Sequence, residues 1–271
     1  MLASGLFIEY KEFRKREKEM KEKIKNNYGV VLIGIGIIIV YELLTDVFGI
    51  LDTFLFVGLK TALPQFKGHI GDLLIGLVSS MKLLIPGFFL AVVLGLAIGV
   101  AVGLNRPLRK NVTPYINGFS AVPATLLTPY AIRLFPTFAA SSIFIIFLGS
   151  FWPILGSTIT AVSTIDKRYL ENADTLEIKG MERLFKVVLP AASPTIFSGL
   201  QIALKFAFVM LVVAEMIGAS SGLGYFVQYY SDFARFDLVM DGFLFLALVL
   251  VLIMHVLDKI KEKSLKWTIN N

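Results

Sequence analysis

Six stretches of the chain stay apolar for long enough to cross a bilayer core, which takes about 20 helical residues. They cover approximately 28–48, 72–104, 113–134, 138–162, 190–217 and 238–258. The second and fifth exceed the required length and are expected to tilt or to protrude. Basic residues divide unevenly between the gaps. Twenty Lys and Arg fall in the tail before the first stretch, the second–third gap, the fourth–fifth gap and the C-terminal tail. The alternate gaps hold only Lys60, Lys67, Arg133 and Arg235. Basic loops stay in the cytoplasm, so the pattern predicts an all-α membrane protein with six transmembrane helices and both termini cytoplasmic.

Composition points the same way. Of 271 residues, 56% are hydrophobic and 17% charged, with a mean hydropathy of +0.76. A soluble domain needs more polar surface than that to cover its core. The net charge of +6 arises from residues that flank apolar segments, so the expected partner is the lipid bilayer and not a nucleic acid. The chain has no cysteine, which excludes disulfides, thiolate catalysis and Cys-ligated metals. His69 and His255 lie far apart, without a metal-binding context. The run from Tyr28 to Leu44 is followed by no small-x-small cleavage pattern and is read as an uncleaved first span.

The expected organisation is a basic N-terminal segment (1–27), a first span with its outer loop (28–69), a core (70–260) and a cytoplasmic tail (261–271). In the first segment Leu6, Tyr10, Phe13, Met20 and Ile24 would share one helix face. That face suits either an amphipathic helix on the inner leaflet or a solvated extension. Gly95, Gly99 and Gly103 form a tandem G-x-x-x-G, a strip open to close helix approach within the chain or between subunits.

The fourth–fifth gap is unlike an ordinary loop. From Asp166 to Lys179 it is rich in helix formers; Gly180 offers a turn, and a second helical stretch ends at Leu189-Pro190. Proline suits the first turn of the span that follows. A short helix held stiffly at the membrane surface is predicted. Such an element can pass a partner's displacement into the spans.

The segment resembles the E-A-A…G…L-P signature of permease subunits in binding-protein-dependent ABC importers. Glu171-Asn172-Ala173 occupies the E-A-A positions and Leu189-Pro190 closes the motif. Residues 191–200 and Val213–Tyr225 continue the pattern, and with Val122-Pro123 and Pro129 they are similar to the nitrate, sulfonate and taurine branch. Two positions depart: Asn172 replaces the usual alanine, and Glu177 stands where the family usually has glycine. The resemblance implies a type I importer fold and a coupling helix at 168–181. It implies that Glu171, Ala173, Glu177, Gly180, Leu189 and Pro190 set the contact with an ATPase. The implied partners are ABC ATPase subunits that carry the ATP and Mg, a periplasmic or lipid-anchored solute-binding protein, and a second permease copy. No cofactor is expected on this chain.

Two intramembrane groups are candidates for the translocation path or its gate. Glu215, near the outer end of the fifth span, is costly in lipid, or it serves to hydrogen-bond the turn Gly218–Gly224. Lys205 and Lys82, within about two turns of span ends, either snorkel or, for Lys205, attract an anion. The chain contains no G-x-x-x-x-G-K-[ST] phosphate loop and no catalytic constellation, so it is not expected to be an enzyme. The alternative is the coupling subunit of an energy-coupling-factor vitamin transporter, whose paired Ala-Arg-Gly signatures are missing. A gradient-driven transporter would call for an internal repeat with broken helices, and none is evident.

Overall fold

The computed structural model describes residues 28–29 and 32–266. The amphipathic face expected within 1–27 lies outside them. Every regular element among the described residues is helical. They are α1 (32–42), α2 (Leu59–Leu104), α3 (Arg106–Ser120), α4 (Thr128–Leu134), α5 (Phe138–Ser163), α6 (Lys167–Thr175), α7 (Gly180–Arg183), α8 (Leu189–Gly218), α9 (Leu223–Asp232) and α10 (Phe236–Ser264). Wide π turns follow α1 at Leu43–Val47 and α7 at Leu184–Val188. Two compact units divide between Pro64 and Gln65.

In the first unit, the apolar side chains of α1 are mostly exposed, as suits lipid. Its end is tied by three hydrogen bonds. Thr45 donates to the Tyr41 carbonyl at 2.8 Å, Tyr41 to the Val57 carbonyl at 3.0 Å, and the Leu59 amide to Glu42 Oε1 at 2.7 Å. Glu42 thereby satisfies one of the orphan amides at the start of α2 and sits favourably on its positive end.

Four helical stretches in the described residues are long and apolar enough to cross a membrane: Leu59–Leu104, Phe138–Ser163, Gly180–Gly218 and Phe236–Ser264. The first runs 46 residues, roughly 69 Å at 1.5 Å per residue, more than twice a bilayer core. It begins well before residue 72, where the apolar run suggested.

The stretch 113–134 does not form one helix. α3 stops at Ser120, Val122-Pro123 is extended, and a 3-10 turn at Ala124–Leu127 leads into α4. The cause is local. A residue preceding proline is pushed out of the α region, Pro123 adopts ψ 123°, and Pro129 restarts the helix from its first turn.

In the second unit α5 and α8 pack along their lengths, and small residues set their closeness. A Cβ added to Gly149 would collide with Met210, and one on Gly199 with Ser157. The G-x-x-x-G strip of α2 packs on α5 within the chain. Added Cβ atoms on Gly95, Gly99 and Gly103 would lie 2.8, 2.6 and 2.8 Å from side-chain atoms of Ile154, Thr158 and Val162. These distances are shorter than any real contact, so the strip is committed to α5. Gly99→Leu is therefore expected to lower stability by about 1–3 kcal/mol. Thermal unfolding of the purified protein checks this, with Gly118→Leu, whose added Cβ meets nothing within 4 Å, as the silent control.

Candidate functional site

Three features of the second unit carry functional chemistry, and α8 touches all of them.

The first is the loop between α5 and the long helix that begins at Gly180. α6 opens on Asp166, whose Oδ1 accepts the Arg168 amide at 2.9 Å, and the Arg168 guanidinium also donates to this carboxylate. These bonds, the backbone one first, hold the Asp166 carboxyl below its ordinary range. The cap therefore contributes above the unfolded carboxyl value and is lost as pH falls through the depressed one.

α6 then ends at Thr175 rather than continuing to 181. Ile178 N–H donates to Ala173 O at 2.9 Å and Glu177 N–H to Asp174 O at 3.1 Å, which is a Schellman closure. Such a closure needs one left-handed residue, and Glu177 takes that role with φ +54°. The loop turns at the position where the resembled family carries glycine, and glutamate adopts the strained conformation instead. Gly180 is also left-handed, φ +60°, but it opens the next helix and does not close the first.

From Gly180 to Gly218 the helix is unbroken for 39 residues. Leu189 and Pro190, expected to mark a fresh start, lie inside this run just after the π turn. A proline ring collides with the carbonyl four residues back in α geometry. The wide turn at Leu184–Val188, closed by Leu189 N–H to Leu184 O, adds a residue where that collision would fall.

Two contacts brace α6 against this helix. Arg183 donates to Asp174 Oδ1 at 2.6 Å and to the Leu170 carbonyl at 3.4 Å. Exposed pairs of this kind contribute only about 0.2–1 kcal/mol, so the pair chiefly fixes geometry. Beneath it Leu170 and Leu184 pack on Val162, Val188 and Ile196 of α5 and the long helix. Ala173 is buried and, with Pro190, lines a cavity of about 360 Å³. Glu171 is exposed. So are the apolar side chains of Tyr169, Leu176, Met181 and Phe185.

The second feature is at the C-terminal end of α8. Glu215 is 1% exposed. Its Oε1 accepts from Ser80 Oγ at 2.7 Å and its Oε2 from the Gly224 amide at 2.7 Å, while Ser80 Oγ accepts the Leu223 amide at 2.9 Å. The carboxylate thus ties α2 and the turn leading to α9 onto α8. Gly222, with φ +129°, leaves no room for a Cβ against that carboxylate. Lys205 does not meet Glu215. It lies near the middle of α8, thirteen residues before Gly218, and is exposed.

The third feature is the helix break at Ala121–Pro123. It borders a cavity of about 450 Å³, lined by Ser120, Pro123, Gly149 and Trp152 together with Phe206 and Met210 of α8. Gly149 and Trp152 are near the centre of the 26-residue α5, so the break lies at membrane depth. The end of α3 leaves carbonyls without helical partners. Such backbone is tolerated in a bilayer only where protein or a water-filled cavity covers it.

Sequence reasoning missed Ser80, the Asp174–Arg183 brace and this cavity. Ser79-Ser80 inside an otherwise apolar run and the Pro123…Pro129 pair were the available signals.

A family profile described as the binding-protein-dependent transport system inner membrane component matches residues 91–263. The chain belongs to this family. It is 33% identical over 212 residues to a putative ABC transporter permease protein of Methanocaldococcus jannaschii, covering 77% of this chain and 79% of that one. The putative aliphatic sulfonates transport permease protein SsuC of Bacillus subtilis is 34% identical over 181 residues, 67% of this chain and 66% of that protein. The taurine transport system permease protein TauC of Escherichia coli is 30% identical over 191 residues, 70% of each. Among solved structures, the methionine ABC transporter MetNI in an inward-facing conformation shares the fold, with a TM-score of 0.63 at 19% identity over 73% of this chain and 98% of that one.

The protein is thus a multi-pass inner-membrane permease subunit of an ABC importer, in the branch that includes nitrate, sulfonate and taurine systems. In such importers the permease is not itself the enzyme, and ATP hydrolysis belongs to a partner subunit.

The segment between α6 and the long helix yields two substitutions of opposite sign. Glu177→Gly removes a left-handed side chain and should strengthen the turn by about 1 kcal/mol. Gly180→Ala should weaken the start of the next helix by about as much, because an added Cβ there meets no atom within 4 Å and only the backbone objects. Hydrogen exchange reads the first at the Ile178 amide, as a roughly fivefold rise in protection, and the second at the Leu184 amide, which donates to Gly180 O, as a comparable fall.

Proposed function

We propose that this chain contributes six spans, with both termini in the cytoplasm, to a translocation path completed by a second permease copy. ATPase subunits carrying ATP and Mg dock on α6 from the cytoplasm, and a solute-binding protein delivers from the opposite face. The solute is a small anion or small organic molecule of the nitrate, sulfonate, taurine or vitamin-precursor kind. The names of the relatives support that range, and the absence of any cofactor requirement on this chain belongs to the same reading.

One observation carries the proposal. Tyr169, Leu176, Met181 and Phe185 are exposed around a braced short helix that feeds without interruption into a run long and apolar enough to span a membrane. Outside the bilayer, a cluster of exposed large apolar side chains calls for a protein partner. An unbroken helix behind it converts the partner's movement into movement of the path. ATP-driven approach of two ATPases would draw the two α6 helices together and shift the population toward the outward-open state, with hydrolysis resetting it. Glu171, Ala173, Glu177, Gly180, Leu189 and Pro190 shape this contact. Ala173 keeps α6 low on the core, and Glu171 presents charge beside the apolar patch.

Glu171→Arg and Leu176→Asp are expected to cut copurification of the ATPase and binder-stimulated hydrolysis at least tenfold. Both residues are exposed, so unfolding temperature should hold within about 2 °C. Retention of full stimulated hydrolysis by both variants would remove the coupling assignment.

A further inference from the structure

We infer that α2 and α9 enclose a binding pocket for a cationic organic group, an alkylammonium or a guanidinium. The inference stands apart from the coupling reading and from the solute proposed above.

The pocket follows from the spacing of residues on α2. Asp72, Gly76 and Ser80 recur every four residues and so share one face of that helix. Each meets the segment around α9. Ser80 Oγ accepts the Leu223 amide. A Cβ on Gly76 would lie 3.3 Å from the carbonyl of Gly222, so the missing side chain lets the two backbones approach. One turn away, Asp72 lines a cavity of about 340 Å³ together with Ser220, Tyr225, Phe226, Tyr229 and Tyr230. The Glu215–Ser80 bond on the same face thus holds carboxylate and rings in place before a ligand arrives.

α9 supplies the rings because its aromatic residues fall at 225, 226, 229 and 230, two i,i+4 pairs side by side. Tyr225 and Tyr229 have ring centres 5.7 Å apart, and Tyr229 and Tyr230 stand 5.2 Å apart with planes at 87°. Rings at a right angle can present π-faces to one ion from two sides, as in an aromatic cage.

Asp72 is the only charged residue that lines the cavity. His69 Nδ1 lies 3.1 Å from its Oδ2, which leaves Oδ1 without a bond among the described residues. Its charge reaches the rings: burial first, and Asp72 next, push the Tyr230 phenol above its ordinary range. An interfacial belt of aromatics would account for the tyrosines, but not for a carboxylate lining the same cavity. Ring faces and a carboxylate both attract cations and repel anions, so the pocket selects a cation.

Choline is the probe, with dimethylbutanol as the uncharged molecule of the same shape. The full chain in dodecyl maltoside, an uncharged micelle, is titrated with each, and binding is read by saturation-transfer NMR. Choline should bind with a dissociation constant on the order of 1 mM, and dimethylbutanol about tenfold more weakly. Asp72→Asn should weaken choline about tenfold and Tyr229→Leu about threefold, while Asp72→Glu and Tyr229→Phe should stay within about twofold. Both positions are exposed, so unfolding temperature should hold within about 2 °C. Asp232→Asn removes an exposed acid of α9 that bonds Gln228 outside the pocket, and it should change nothing. A second pair of ligands reads the source of the group. A free amine as natural ligand predicts that ethanolamine competes with choline better than Nα-acetyl-arginine amide does; a basic side chain offered by a docking protein predicts the reverse. Equal binding of choline and dimethylbutanol overturns the inference, as does undetectable choline binding or choline binding that Asp72→Asn leaves unchanged. None of these results bears on ATPase docking at α6, so failure here is distinct from failure of the permease reading.

Discussion

In a bilayer core every backbone amide and carbonyl must find its partner inside the protein or in enclosed water. That constraint organises this chain. Where the helices run unbroken, lipid can bathe them, and their exposed faces are mostly apolar, Lys82 of α2 and Lys205 of α8 being exposed exceptions. Where the backbone departs from the helix, something specific covers it. At the outer turn the cover is Glu215 with Ser80, which between them accept the amides of Gly224 and Leu223. At the α3–α4 break it is a cavity. At the loop before the long helix, the α6 terminus closes on its own carbonyls and leaves the apolar side chains of Tyr169 and Leu176 exposed.

The same constraint explains why a carboxylate is tolerated at Glu215. A buried charged or polar group is costly unless its hydrogen-bonding capacity is met. Here both oxygens are engaged, and the serine bridging to Leu223 extends the network to a second helix. The carboxylate works as a fastener between α2, α8 and the α9 entrance. Asp241 of α10 makes the contrast: it is equally buried, yet both of its oxygens lack a hydrogen-bond partner among the described residues. Two buried acids thus play unequal parts, and of the two only Glu215 stitches helices together.

Much of this was legible in the sequence because membrane proteins write their topology in long-range patterns. Apolar run lengths located α5, α8 and α10 closely, since a span must reach across the core whatever it packs against. Local punctuation was harder. Val122-Pro123 was noticed, but proline inside an apolar run also occurs in intact helices, as Pro153 in α5 and Pro194 in α8 do. What breaks the third stretch is two prolines six residues apart around a 3-10 turn, and nothing in hydropathy marks that. The turn after α6 was placed at Gly180 because glycine is the usual left-handed residue. Glu177 took the conformation instead, since the carbonyls of Ala173 and Asp174 needed closing three residues earlier. The Ser80–Glu215 bond joins residues 135 apart, and no local pattern could have announced it.

α8 and the turns that lead into it explain how these parts can act together. A single helical run begins at Gly180 beside the braced α6, passes Lys205 and the cavity residues Phe206 and Met210, and ends on the Glu215 fastener. The π turn accommodates Pro190 without interrupting that run, so a displacement delivered at the inner face is not absorbed at the proline. On the opposite side of the cavity, α3 and α4 are two short pieces joined by an extended Pro123 and a 3-10 turn at Ala124–Leu127. On the coupling reading proposed above, one wall of the chamber would serve as a continuous lever and the other would carry the hinge. A stroke from below would then change the shape of the space between them, while the outer fastener keeps the far end of the lever in register.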